Sequence, residues 1–233
     1  FAITCAHDRH LRALQSLNTG PRAAAPATAT DDHDDVREVP APEKNMDWSK
    51  NGRNELLFSQ IIDAGVNAIG AQKGVVSRYA HLCEGTSTGM VVHYSVSTRH
   101  AGPESNNKVL VGHADETLPR GGIGVSSQVN MGSEHEPEMI QRMGELNRQA
   151  LHTDLPAFGM VYARGPNLNH QEGDKTKSQA HAVRLAFELG CDAAKCVWTG
   201  DEASFTEVAK SAPIPLLMAG GPSNDDTRSV LAM

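Results

Sequence analysis

The stretch CDAAKCVWTGDEASFTEVAKSAPIPLLMAGG, residues 191–221, is the part of the chain from which the fold is most directly predicted. It opens with a short apolar run, CDAAKCVW, that is typical of a buried strand. Thr-Gly-Asp-Glu then marks a helix start, and DEASFTEVAKSA predicts a helix before a second apolar strand, PIPLLMAGG. A strand, a helix and a strand joined by short loops form the repeating unit of a parallel sheet.

The same alternation continues toward the amino terminus. Five more runs predict strands, at residues 1–8, 66–71, 89–96, 121–129 and 155–165. Helices are expected in three segments, NELLFSQIID, GSEHEPEMIQRMGELNRQALH and SQAHAVRLAFELG. The apolar face of the first consists of Leu56, Leu57, Ile61 and Ile62. The second begins with a capping box from Ser133 to Glu136. Mostly unalternated apolar strands favour an α/β fold with a parallel sheet. About seven strands predict a (β/α)8 barrel without its last strand-helix unit, and a doubly wound open sheet is the alternative.

The chain of 233 residues is expected to form one barrel domain, residues 1–233, with a flexible insertion at about 18–50. That segment is rich in Ala, Pro, Thr and Asp and has no apolar periodicity. Its cluster DDHDD, residues 31–35, is interpreted as a solvated acidic loop rather than a metal site. Residues 82–118 give no clear strand-helix unit, so the third repeat is not predicted in detail.

Composition excludes several classes of protein. The net charge is −7 and no dense Lys/Arg stripe is present, so nucleic-acid binding is not expected. No run of about 18 apolar residues predicts a membrane span. The four cysteines are scattered and form no CxxC pair, which favours a reduced, cytoplasmic protein. No histidine pair has the spacing of a helical metal site, so no metal is expected.

Lys195 raises a chemical question because it lies inside the predicted strand CDAAKCVW. Lysine is seldom buried unless something pairs with it or uses it. Burial and a nearby cation, for which Arg164 is the candidate, both favour the neutral amine, which attacks carbonyl groups to form an imine. The alternative is a lysine whose stem is buried and whose amine is solvated or ion-paired.

Other candidates also fall at the carboxyl ends of predicted strands, where barrel enzymes hold their active sites. Imine chemistry needs a proton shuttle, and Tyr162 in MVYARG and Asp8 at the end of the first strand could supply it. Tyr162 could instead be a tyrosine at the edge of the core whose hydroxyl is hydrogen-bonded. Gly220 and Gly221 could let main-chain N–H groups approach a phosphate.

Several longer segments resemble the archaeal-type class I aldolases. They are MVYARGPN, HAVRLAFELGCDAAKCVWTGD, SFTEVAKSAPIPLLMAGGPSND and QVNMGSEHEPEM, and the resemblance runs from about 123 to 228 and again over 54–80. It implies a (β/α)8 barrel in which Lys195 forms the Schiff base and no cofactor is needed. It also matches Tyr162 to the family's acid/base tyrosine and Asp8 to its first-strand aspartate. Arg164, Gly220 and Gly221 are then the candidates for binding a sugar phosphate.

Two details bear on the branch of that family. VNMGSE is similar to the Val-Asn-Val-Gly-Ser of 2-amino-3,7-dideoxy-D-threo-hept-6-ulosonate synthases, and Met160 stands where the fructose-bisphosphate aldolases carry a Trp. The resemblance to the synthases implies transfer of a three-carbon unit from a ketose phosphate to aspartate semialdehyde, in the archaeal route to aromatic amino acids. It also implies a homo-oligomer. The alternatives are a class I fructose-bisphosphate aldolase, a non-catalytic sugar-phosphate-binding barrel and a metal-dependent aldolase.

Overall fold

The computed structural model describes residues 52–168 and 175–219. Its helices are α1 (Gly52–Asp63), α2 (Lys73–Tyr79), α3 (Glu136–His152), α4 (Thr176–Glu188) and α5 (Glu202–Ala209). Its strands are β1 (Ala68–Gln72), β2 (Gly89–His93), β3 (Ser95–Val96), β4 (Val109–Leu110), β5 (Gly124–Met131), β6 (Ala157–Ala163), β7 (Ala193–Val197) and β8 (Leu216–Ala219). The first predicted strand with Asp8, the insertion at 18–50, and Gly220 and Gly221 lie outside these residues.

Six strands form one sheet in the order β1-β2-β5-β6-β7-β8, and all of the pairs are parallel. Neighbours in this sheet follow chain order throughout, whereas a doubly wound sheet reverses its order at a switch point. The order is that of a barrel, so the barrel prediction is confirmed over these six strands and the open-sheet alternative is wrong. The six strands and their helices form a half-barrel.

One face of the sheet is apolar and carries the helices. Val129 and Met131 of β5 pack with Met139 and Met143 of α3, all of them buried. β6 and α4 approach closely at Gly159, where a Cβ would lie 3.1 Å from Ala186 Cβ of α4 and 2.8 Å from Cys191 Sγ in the loop after it. The aliphatic residues predicted to form the core therefore lie between the sheet and its helices, as in barrel proteins.

The opposite face of the sheet changes character along the strands. At the amino end, Val91, Phe158 and Ala193 form a small apolar cluster. Toward the carboxyl end the buried side chains become polar, and this polar inner face consists of His93, Ser126, Gln128, Asn130, Tyr162 and Lys195. Parallel strands in register place paired residues on the same face, which is how these six side chains come to share it.

The third repeat has no long helix, which is why the sequence pattern did not reveal it. After β2, the chain forms the short antiparallel pair β3–β4 and several 3₁₀ turns, Arg99–Asn106, Ala114–Glu116 and Leu118–Arg120. Pro103 lies inside the first of these turns and Pro119 inside the last, and proline disrupts α-helical hydrogen bonding. The main-chain groups of 97–122 bond mostly within local turns instead.

The prediction for the start of α3 is wrong. α3 begins at Glu136 rather than at Ser133, and its N-cap residue, His135, makes no capping hydrogen bond through its side chain. Ser133 Oγ accepts from the His135 N–H inside a tight turn, while the Glu136 carboxylate accepts from the Gly132 N–H. The turn ends β5 and uses the polar groups that a capping box would need.

The apolar face predicted for α1 is only partly correct. Leu56 and Leu57 are 58% and 44% exposed, whereas Phe58 is buried against Tyr79 with ring centroids 5.0 Å apart. Ile61 and Ile62 pack at the edge of the same core. In the part of the chain that the structure describes, none of the helices is long and apolar enough to cross a membrane.

Candidate active site

Lys195 is buried in the middle of β7 and is 8% exposed. It pairs in register with Met160 of β6 on one side and with Leu217 of β8 on the other. Ala194 and Cys196, its neighbours along β7, belong to the helix-facing core, so Lys195 faces the opposite way, onto the polar inner face. The sequence prediction of a lysine buried in a core strand is confirmed.

Tyr162 lies on the strand beside Lys195, one inward-facing position nearer the carboxyl end. It is 3% exposed, and its neighbour across β5 is Asn130. The guanidinium carbon of Arg164 stands 4.1 Å from the centre of the Tyr162 ring, a cation–π contact. The structure therefore places Lys195 midway along β7 and Tyr162 and Arg164 at the carboxyl end of the adjacent strand β6, whereas the sequence predicted all three at strand ends.

The rest of the polar inner face is organised by hydrogen bonds. Ser126 Oγ and His93 Nδ1 are 2.8 Å apart across β5 and β2. Gln128 Nε2 donates to Asn130 Oδ1 at 2.8 Å, and Asn130 Nδ2 donates to the main-chain carbonyl of Asn106 at 2.8 Å. The last bond ties the 3₁₀ turn Arg99–Asn106 to the carboxyl end of β5, so this turn borders the candidate site.

The loops after β5 and β6 are packed on each other at the same end of the sheet. The Gly165 N–H donates to the Met131 carbonyl at 2.9 Å, and the Asn167 N–H donates to the Gly132 carbonyl at 2.9 Å. A Cβ on Gly165 would lie 1.8 Å from the carbonyl carbon of Gly132, so no other residue fits there without moving the backbone. This contact fixes the position of Arg164 and of the end of β6.

Two side chains stabilise the segments around β6 and after β7. Gln179 of α4 is fully buried, and its Nε2 donates to the Val161 carbonyl at 3.0 Å. Asp201 caps α5 by accepting from the Ser204 N–H at 2.9 Å, and this bond is the main cause that lowers the pKa of Asp201. The strand-to-helix turn after Lys195 is therefore built as the sequence predicted.

The buried cysteines are poor competitors for the role of nucleophile. Burial raises the pKa of Cys191 and of Cys196 to about 12, so both remain thiols at neutral pH. Both belong to the core between sheet and helices and not to the polar inner face. Over residues 52–168 and 175–219, no group of three or more His, Cys, Asp or Glu side chains is placed to hold a metal ion.

The polar residues of β5 were missed at the sequence level, although a signal was present. In GVSSQVNM, Ser126, Gln128 and Asn130 alternate with Val125, Ser127, Val129 and Met131, three of which are apolar. This period of two is typical of a strand with one polar and one apolar face. Asp8, Gly220 and Gly221, the other predicted site residues, lie outside the described part and stay predictions.

Known proteins share both this sequence and this architecture. A sequence profile of the DeoC/LacD family aldolases matches residues 44–233. The chain belongs to the DeoC/LacD aldolase family. The resemblance to class I aldolases that the sequence motifs indicated is thereby confirmed.

Two sequence relatives are synthases of seven-carbon amino acids. The chain is 33% identical over 184 residues to the 2-amino-4,5-dihydroxy-6-oxo-7-(phosphonooxy)heptanoate synthase of Streptomyces griseus. This alignment covers 79% of the present chain and 66% of the Streptomyces protein. It is 32% identical over 172 residues to the 2-amino-3,7-dideoxy-D-threo-hept-6-ulosonate synthase of Halobacterium salinarum. That alignment covers 73% of the present chain and 63% of the Halobacterium protein. The chain thus spans slightly less than two thirds of the length of these relatives.

A solved structure of a Schiff-base-forming fructose-1,6-bisphosphate aldolase superposes with a TM-score of 0.70 and 28% sequence identity. The match covers 82% of this chain and 74% of that one. It supports the assignment of the six-stranded sheet to the barrel of the class I aldolases.

Proposed function

We propose that this chain is a Schiff-base aldolase-type enzyme in which Lys195 is the nucleophile and Tyr162 moves the proton. The observation that carries the proposal is the placement of a buried lysine and a buried tyrosine on adjacent strands of one polar face. Membership of the DeoC/LacD family supports it, as does the structural likeness to a Schiff-base-forming aldolase.

The proposed reaction proceeds through an imine. The neutral Lys195 amine adds to the ketone carbon of a ketose phosphate, and loss of water leaves an iminium ion. In a six-carbon donor, the hydroxyl on the carbon beyond the scissile bond gives its proton to a base, that carbon leaves as an aldehyde fragment, and the C–C bonding electrons pass to the iminium nitrogen to form an enamine. Dihydroxyacetone phosphate forms the corresponding enamine when its iminium loses a proton from the hydroxymethyl carbon to the base. The enamine carbon then attacks the aldehyde of the acceptor, and Tyr162 protonates the new alkoxide. Water releases the product and restores the amine.

Arg164, Gly220 and Gly221 remain the candidates for the phosphate, and Asp8 remains a second candidate for proton transfer. The assignment of Arg164 to the phosphate is supported by its position beside Tyr162, where its guanidinium provides a positive charge near the carboxyl end of β6. Guanidinium groups bind phosphate oxygens through two parallel hydrogen bonds. No role is needed for a metal in this sequence of steps.

We propose aspartate semialdehyde as the acceptor and a three-carbon ketone unit as the group transferred. The two sequence relatives are named for 2-amino-heptanoate products that share hydroxyls at carbons 4 and 5 and a ketone at carbon 6. They differ at carbon 7, which is phosphorylated in one name and deoxy in the other. VNMGSE and Met160 favour this synthase branch over the fructose-bisphosphate aldolases.

Turnover assays test the proposal. The full chain is incubated with aspartate semialdehyde and either dihydroxyacetone phosphate or a 6-deoxy-5-ketohexose phosphate, and the seven-carbon product is detected by mass spectrometry. The proposal expects product from one of these donors, no effect of a chelator, and loss of product in Lys195→Met. Cleavage of fructose 1,6-bisphosphate without any seven-carbon product would instead favour the aldolase branch, to which the structural neighbour belongs.

A further inference from the structure

The buried carboxamide of Gln128 belongs to the polar inner face and lies two strands away from Lys195. Gln128 is 1% exposed and pairs in register with Met160, which in turn pairs with Lys195. The three residues therefore form one row across β5, β6 and β7. Two strand spacings separate the main chains of Gln128 and Lys195 by about 10 Å, a gap that their side chains and one hydroxylated carbon can bridge.

The orientation of this carboxamide is fixed by a chain of hydrogen bonds. The main-chain carbonyl of Asn106 can only accept, so the group of Asn130 that faces it at 2.8 Å must be the NH₂ group. Asn130 Oδ1 then faces Gln128 at 2.8 Å and requires a donor, which must be Gln128 Nε2. Gln128 Oε1 is the atom left over, and a flipped amide would break the chain.

Gln128 Oε1 is a buried acceptor that has no hydrogen-bond partner among the described residues. A buried carbonyl without a donor is unfavourable, and such groups in native proteins usually serve a ligand or a bound water. The atom can only accept, so it selects for a ligand group that carries a proton.

We propose that Gln128 Oε1 accepts a hydrogen bond from the substrate hydroxyl on the carbon next to the imine carbon. The inference rests on the proposed function, in which Lys195 holds that imine. Both product names of the sequence relatives place a hydroxyl on the carbon beside the ketone, so this group is common to the two possible donors. Gln128 is thus a specificity-determining residue, and Asn130 is the positioning residue that orients it.

The test compares two ketones that differ in this hydroxyl. Dihydroxyacetone phosphate carries it, and hydroxyacetone phosphate has a methyl group in the same place. Both can form an imine, and borohydride reduction followed by mass spectrometry measures the rate of trapping at each concentration. The wild-type chain should be trapped more efficiently by dihydroxyacetone phosphate, by roughly 10- to 100-fold.

Gln128→Met removes the acceptor with little change of volume and should bring the ratio of the two trapping efficiencies close to one. Asn130→Ala frees the amide to rotate and should lower the same ratio partly, which gives a second variant if the first is unstable. Ser127→Ala is the matched control. Its hydroxyl is also buried without a partner in the described part, but it lies on the helix-facing side of β5, so the ratio should not change.

The outcomes separate this inference from the proposed function. A merely structural role would lower trapping of both ketones equally and leave their ratio unchanged in Gln128→Met, and that result would overturn the inference alone. No adduct with either ketone in the folded wild-type chain would overturn both the inference and the assignment of Lys195 as the nucleophile, on which it rests. A ratio that collapses in Gln128→Met but not in Ser127→Ala supports the inference.

Discussion

The proposed proton transfer depends on a single atom of Tyr162, its hydroxyl oxygen. Its ring is held by the Arg164 guanidinium at 4.1 Å and by burial at the end of β6. The ring alone accounts for these contacts, and the proposed proton transfer needs only the hydroxyl. The structural and the chemical contributions of this residue can therefore be separated.

Tyr162→Phe should lower kcat for the aldol step by about 10²- to 10⁴-fold, the usual contribution of a general acid or base. Phenylalanine keeps the ring under Arg164, so the thermal stability should change little and borohydride should still trap an adduct. Steady-state kinetics and thermal unfolding measure the two effects. Tyr94→Phe is the control, since its hydroxyl bonds Thr117 in the helix-side core and its loss should leave kcat unchanged. An unchanged kcat in Tyr162→Phe would remove this residue from the mechanism.

At the level of single residues, the sequence indicated Lys195, Tyr162 and Arg164 because each is a chemically distinctive residue at the end of an apolar run. Gln128 and Asn130 could not be assigned in the same way. Their roles depend on the Asn106 carbonyl, which comes from a 3₁₀ turn that no periodicity in the sequence predicts. A hydrogen-bond chain between distant segments becomes visible only in the folded chain.

Among the contacts between structural elements, the packing of the loop after β5 against the loop after β6 determines the shape of the candidate site. Gly165 lies against Gly132 and Ser133 with no room for a side chain. The same loop places Arg164 beside Tyr162, so backbone packing and the position of the cation are linked.

Gly165→Ala should destabilise the fold by about 2 kcal/mol or more, because the added methyl group overlaps backbone atoms that cannot move independently. Activity should fall as well, since Arg164 must shift with the loop. Gly144→Ala in α3 is the matched control: a Cβ there meets nothing within 4 Å, and alanine favours the helix by about 0.5–1 kcal/mol. Urea unfolding of both variants measures the difference. Equal stabilities would show that the two loops are not in contact.

Elements were predicted well where they are regular and poorly where they are not. α4 and α5 and their flanking strands follow the expected alternation. The start of α3 was misplaced because Ser133 and Glu136 serve the turn after β5 instead of a cap. Local spacing matched a capping box, but the competing contact with Gly132 depends on where the preceding strand ends.

The stability of the whole molecule should depend on pH through the cluster around Glu116, among other groups. Glu116 accepts hydrogen bonds from Arg120 and also pairs with Lys73 of α2 at 3.2 Å, which ties the turns before β5 to the start of α2, directly after β1. Its hydrogen bond to Arg120 is the main cause that lowers the pKa of Glu116 to about 2 from an ordinary value of 4.5. A lowered carboxyl pKa stabilises the folded state above pH 4.5, and this stabilisation disappears as the pH falls toward 2.

Glu116→Gln should therefore lower the free energy of unfolding by about 1 kcal/mol at pH 7, since the cluster is partly solvent-exposed. The difference from the wild-type chain should shrink as the pH is lowered below 4.5, because the wild type then loses the same charge. Urea unfolding at pH 7, 5 and 3 measures it. Glu207→Gln breaks an exposed pair with Lys210 and serves as the control with little expected effect. A difference that stays constant with pH would exclude the ion pairs as its source.

The barrel topology was predictable because it follows from the order of the elements and not from their details. Strands that alternate with helices and pair with their neighbours in chain order produce a parallel barrel sheet. The irregular third repeat does not change that order, since β3 and β4 form their own small sheet. What the order of elements could not give is which side chains meet across the polar inner face, because that depends on the register between strands.

Borohydride trapping with a ketose phosphate, followed by peptide mass spectrometry, is the decisive test of Lys195 as the nucleophile. We expect a reduced adduct on the peptide that carries Lys195, and we expect this adduct to be lost in Lys195→Met. Lys108 is also 8% exposed and donates to Ser97, so Lys108→Met is a matched control that should still be trapped. A folded chain that forms no adduct, or forms one on another lysine, would contradict the assignment of Lys195 as the nucleophile.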